Sequence, residues 1–162
     1  MHIDTVKQDI ERWIMNFVEM PHPLLGGFPP CPYARSARLA KAYEIVLGTD
    51  PQQDLAQRGQ QGMQNKQVWI YAYDPKQCTA DQLSTWVDQA NQHTLVPNNI
   101  IAMEDHPEAV ENVNGAIMNQ GTYALILVQN LSELDSQAHI LARYHYYDSW
   151  PESYLQAVFR HR

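Results

Sequence analysis

The chain has 162 residues, 44% of them hydrophobic and 18% charged, with a formal net charge of −7. A chain of this length can bury one sizeable core, so a single globular domain over residues 1–162 is expected. The acidic balance argues against nucleic acid held by its phosphates, and no apolar run approaches the ~20 residues of a membrane span.

The start, Met1-His2-Ile3-Asp4, has no basic segment followed by an apolar run, so no export signal is expected. Cys31 and Cys78 are the only cysteines, which suits reduced thiols in a cytoplasmic protein. Val6, Ile10, Trp13, Ile14 and Phe17 recur at helical spacing after Asp4, a suitable N-cap, and Pro21 and Pro23 end that helix. Residues 21–30 are rich in Pro and Gly and read as an ordered loop. Cys31 then serves as N-cap and Pro32 as first residue of a second helix running to about Ala42.

Strands are expected at 43–47, 68–73, 98–103 and 122–128, where β-branched and aromatic residues cluster. Residues 49–67 are Gln-rich with few apolar anchors and read as a short surface helix or a solvated segment. Thr79-Ala80-Asp81-Gln82 is a capping box opening a helix with Leu83, Trp86 and Val87 on its inner face. Pro107 is expected to open a short helix to about Val113, and Asn114-Gly115 marks a turn. Ser132 is expected to cap a helix through Ala142, and a last helix begins near Ser149-Trp150-Pro151-Glu152. Strands alternating with helices predict an α/β or α+β fold with one mixed sheet of about four strands. Helices pack on that sheet and extra helices lie at both termini. A ferredoxin-like arrangement is the expected topology.

Pro29-Pro30-Cys31-Pro32-Tyr33-Ala34-Arg35 carries the chief chemical signal. A thiol at a helix N-terminus has its thiolate favoured by the positive end of the helix dipole. The turn resembles a glutaredoxin-type Cys-Pro-Tyr-Cys in three of four residues. Ala34 replaces the resolving cysteine, and a Pro/Gly loop stands where a strand belongs, so the redox fold is rejected. Glu104-Asp105-His106-Pro107 closes the third strand, where open α/β sheets place ligands. His106 is the candidate base for Cys31, with Asp105 to orient it. His22 in the loop, Arg35 on the following helix and Glu104 are candidate ligand-binding residues. Arg38 reads as an ordinary ion pair. No spacing diagnostic of a metal site occurs, and no particular cofactor is indicated.

Glu11-Arg12-Trp13-Ile14 ahead of Cys31-Pro32-Tyr33-Ala34 resembles an uncharacterised bacterial domain family. That family has a Trp-bearing first helix, a Cys-Pro-Phe-Ala turn and a His-Pro step after a strand. The resemblance implies comparable places for Cys31 and His106, and no reaction. The expected function is a small ligand-binding domain or thiol-dependent enzyme, its pocket built from the Pro-rich loop, Cys31 and the strand end at His106. The expected partner is a small molecule, with neither nucleic acid nor membrane, and a homo-oligomer is compatible with the composition. One alternative is a non-catalytic binding or assembly protein. The other is a mononuclear metal site of Cys31, His106 and a carboxylate.

Overall fold

The computed structural model describes all 162 residues. The first helix, α1 (Ile3–Trp13), runs on into a wider π-helical turn, Ile14–Val18. Beyond the Pro/Gly loop come α2 (Ala34–Leu39), β1 (Tyr43–Leu47), α3 (Pro51–Gln61) and β2 (Val68–Tyr73). The chain continues through α4 (Ala80–Ala90), β3 (Ile100–Asp105), a small hairpin of β4 (Asn112–Val113) and β5 (Ala116–Ile117), and β6 (Ala124–Asn130). It finishes with α5 (Leu131–Arg143) and α6 (Glu152–Val158).

The fold is α+β, with a mixed four-stranded sheet in the order β1-β2-β6-β3. β1 and β2 are parallel, while β6 runs antiparallel to both β2 and β3. β2, α4 and β3 with β6 between them make the split βαβ unit of a ferredoxin-like arrangement. The sheet departs from that arrangement at its edge. The place beside β2 is taken by β1, delivered parallel through the α3 crossover. A parallel neighbour needs such a crossover, and the eleven-residue α3 supplies it, with Asp50 capping Gln52 and Gln53 and Pro51 in the first turn.

Side chains alternate between the two faces of the sheet. Tyr71, Tyr73, Ile100, Ala102, Ala124, Ile126 and Val128 meet Leu55 of α3 and Leu83 and Val87 of α4 in one buried cluster. Ile45, Ile70, Ala72 and Leu125 meet Val6, Ile10 and Ile14 on the opposite face. The Thr79 capping box opens α4 as expected. Trp13, Trp69 and Trp86 pack against these clusters while keeping part of their surface exposed.

Three local expectations are corrected. Residues 107–113 form no helix, because Asn114 and Gly115 both take positive φ, 53° and 93°, and close the β4–β5 hairpin. That is the two-residue turn Asn-Gly favours. Ser132 does not cap α5. Asn130, the last residue of β6, accepts the Glu133 N–H instead, while the Ser132 hydroxyl donates to Asn99. α2 is shorter than expected and opens at Ala34 with Tyr33 as its N-cap, leaving Cys31 outside the helix.

Candidate functional site

A cavity of about 230 Å³ lies on the α1 face of the sheet. Its floor is Val68, Ile70, Met103 and Leu127, and its walls come from α1, the Cys31 loop, α2 and α5. Tyr146, Tyr147, Trp150 and Val158, from the segment after α5, close it. The lining is mostly apolar. Leu134, Ala138 and Leu141 recur at helical spacing on α5 and present one apolar stripe to this space.

Cys31 is held in the wall by its backbone. The π turn ending α1 places the Val18 carbonyl to accept the Cys31 N–H at 3.0 Å, and the Cys31 carbonyl accepts the Ala34 N–H at 3.2 Å. Tyr146 is buried, and its hydroxyl lies 2.6 Å from the Pro30 carbonyl and 3.1 Å from that of Pro29. Edge-to-face contacts link Phe28, Tyr146 and Tyr147, so the aromatic segment clamps the loop beside Cys31. The residue keeps some exposed surface, yet burial dominates at the thiol and pushes its pKa up. The N–H groups of Tyr33 and Ala34 pull the other way with less effect. Cys31 is therefore a neutral thiol at neutral pH, the reverse of the helix-activated thiolate expected from its spacing. Cys78 is also free, buried in the core of the other face, with its thiol pushed up by burial and by the Glu108 charge.

The structure does not bring His106 to Cys31. His106 is 1% exposed and faces the Pro75–Cys78 turn, with Nε2 3.0 Å from the Cys78 carbonyl and 3.3 Å from that of Pro75. Both neighbours are acceptors, so Nε2 carries the proton. Nδ1 accepts the Glu108 N–H at 3.1 Å. Both nitrogens are engaged in a neutral tautomer, and no lone pair is free for a base. Cys78 belongs to the cluster of the α3/α4 face, so His106 and Cys31 are on opposite sides of the sheet.

The remaining expected site residues have other places. Asp105 accepts the Asn119 amide at 2.7 Å, and burial holds its carboxyl above the usual range. Glu104 lines a second space of about 230 Å³ with Glu111, Tyr154 and His161, along the open edge of β3. His22 accepts the Leu24 N–H through Nδ1 and stiffens the Pro/Gly loop. Arg35 is exposed and outside the cavity. Arg38 is the ion pair expected, bidentate to Glu19 at 2.9 and 2.7 Å, and that contact holds the Glu19 carboxyl below its ordinary value. No three His, Cys, Asp or Glu side chains gather into a group that could hold a metal, so the proposed Cys31, His106 and carboxylate triad is not assembled.

Of the expected site residues, only Cys31 lines the cavity beneath α5. Tyr147, Trp150 and Arg162, which also line it, belong to no motif that the sequence marks as a site. The density of aromatics in 144–150 was the one available signal. No protein-family model matches the chain, and neither a curated protein nor a solved structure shows detectable similarity to it. No helix is long and apolar enough to cross a membrane.

Proposed function

We propose that this protein binds a small, mainly apolar molecule in the cavity between the sheet, the Cys31 loop and α5. The cavity itself carries the reading. Protein interiors are close-packed and rarely keep voids larger than a water molecule. An apolar cavity of about 150 Å³ already accommodates benzene, and this one is about 230 Å³. Apolar walls with a few polar groups are the usual make-up of a small-molecule site. Cys31 contributes a soft, neutral wall rather than a nucleophile, because its thiol is pushed up by burial and no base stands beside it. Two free thiols suit a reducing compartment.

N-phenyl-1-naphthylamine, a neutral apolar fluorophore, tests this directly. Wild-type protein should brighten and blue-shift its emission. Ala138→Phe, which fills the space from α5, and Gln137→Trp, which narrows its half-buried rim, should each abolish the response while keeping the wild-type circular dichroism. Emission no brighter than in buffer would remove the proposal, as would unchanged binding by both variants.

A further inference from the structure

Among the residues lining this cavity, Arg162 carries the one positive charge. Arg162 lines it with a side chain only 4% exposed. Its Nε donates to Asp135 at 2.6 Å and its Nη2 to the Leu134 carbonyl at 3.1 Å, with the guanidinium carbon 4.3 Å from the centre of the Phe159 ring. A guanidinium has five N–H donors, and Nη1 meets no acceptor in the protein. Tyr147 is the neighbouring donor. Its hydroxyl has no protein partner, and its phenol feels the charge of Arg162 and the proximity of Tyr33 and Cys31. Burial raises its pKa, so it remains a donor at neutral pH. Trp13 and Trp150, in the same lining, carry buried indole N–H groups that meet no acceptor either. Gln67, Gln129 and Gln137 also line the cavity with amides that both donate and accept. Arg162, Trp13 and Trp150 present donors alone to a bound molecule, Tyr147 adds its O–H, and those donors are met by a ligand that brings acceptors.

Resting on the pocket reading above, we infer that the ligand is an apolar molecule bearing a single carboxylate, with Arg162 and Tyr147 donating to its oxygens. The planar guanidinium fork matches a carboxylate, and a charge-assisted hydrogen bond gains strength in a largely apolar site. One guanidinium edge and one phenol serve two oxygens, which is too few for a phosphate. Asp135, the partner of Arg162, and Glu133, exposed at the rim, are the nearby carboxylates. Asp135 is already engaged, and Glu133 is left in water. The body of the molecule lies along Ile70, Met103 and Leu127.

Displacement of bound N-phenyl-1-naphthylamine by decanoate and by decan-1-ol separates the head group from the tail. Wild-type protein should prefer decanoate by about ten-fold or more. Arg162→Gln should erase that preference and leave decan-1-ol within about two-fold of its wild-type affinity, and Tyr147→Phe should narrow the preference in part. Equal displacement by acid and alcohol in the wild type would overturn the carboxylate assignment and leave the apolar pocket standing. So would a preference that survives Arg162→Gln. Absence of fluorophore binding by the wild type strikes the pocket reading itself, so the two failures are distinguishable.

Discussion

The two faces of the sheet are finished in different ways. On one, α3 and α4 are the crossovers that join β1 to β2 and β2 to β3, and they seal a continuous buried cluster from Leu55 to Val128. Space there is so tight that a Cβ at Gly48 would land inside the Tyr73 ring, and one at Gly59 would lie 2.6 Å from the Thr94 methyl. On the other, α1 covers Ile45, Ile70 and Ala72, while the rest is roofed by α5 and the segment after it. That second roof leaves a hole. Crossover helices are tied to the sheet at both ends and are drawn onto it, whereas α5 and the chain beyond it are tied at the start of α5, through Asn130 and the Leu131 N–H on the Asn99 carbonyl, and after that by side-chain contacts. Where the covering is free to stand off, a cavity survives.

The largest test of this contrast is a pair of truncations. Leu83→Ala, on the sealed face at 0% exposure, should cost about 2–5 kcal/mol in denaturant unfolding. Leu141→Ala, in the cavity wall, removes a half-buried side chain beside existing space and should cost less than about 1.5 kcal/mol. Equal losses would mean that the two faces are packed alike.

His106 gives a smaller effect and sharpens the same division. His106→Leu leaves the Cys78 and Pro75 carbonyls and the Glu108 N–H without their partner and should cost about 1–3 kcal/mol. Across the sheet, alkylation of Cys31 by iodoacetamide should be unchanged in that variant. It should stay slow at neutral pH, rise only well into the alkaline range because the thiol is pushed up, and slow further when decanoate is bound. A Cys31 rate that falls with His106→Leu would reconnect the two residues.

The smallest effect lies at the open edge of β3. Glu111 accepts from the Tyr154 hydroxyl at 3.3 Å, and burial, then the charge of Asp105, raises its pKa. A carboxyl whose folded pKa is raised favours the folded state while protonated. That contribution is complete below the unfolded value near 4.5 and is lost as pH rises through the folded value. Glu111→Gln holds the neutral form throughout. The variant should match the wild type in acid and exceed it slightly, by under about 1 kcal/mol, at pH 7. A variant less stable than wild type at pH 7 would show that the ionised carboxylate is needed there.

The fold was largely legible because its signals are local. The aromatic and β-branched run Val68–Tyr73 and the Thr79–Gln82 capping box each name their own structure within a few residues. β3 and β6 lie two residues later than their apolar patterns begin, since pairing register with each other sets the ends. The strand at 43–47 was legible, but its place at the edge of the sheet was not. Whether β1 enters beside β2 in parallel depends on where α3 docks, and a Gln-rich helix anchored by Leu55 and the buried Arg58 advertises little of that. Arg58 donates to the Tyr71 hydroxyl at 2.9 Å and stacks 3.6 Å over Trp69, partners thirteen and eleven residues away that only folding supplies.

By itself the chain determined that Cys31 lies between prolines just ahead of a helix and that His106 follows a strand, because proline geometry and β propensity act over neighbouring residues. Tertiary structure decided what those residues are for. The alternation of the strands sends His106 to the sealed face, where two carbonyls and an N–H occupy its ring, while Cys31 is left on the face with the cavity. The pKa of the thiol followed burial rather than helix position, because α2 opens at Ala34 and the aromatic segment from Tyr146 folds back over the loop. Burial, facing and void volume are properties of elements brought together from distant parts of the chain, and no window of adjacent residues contains them.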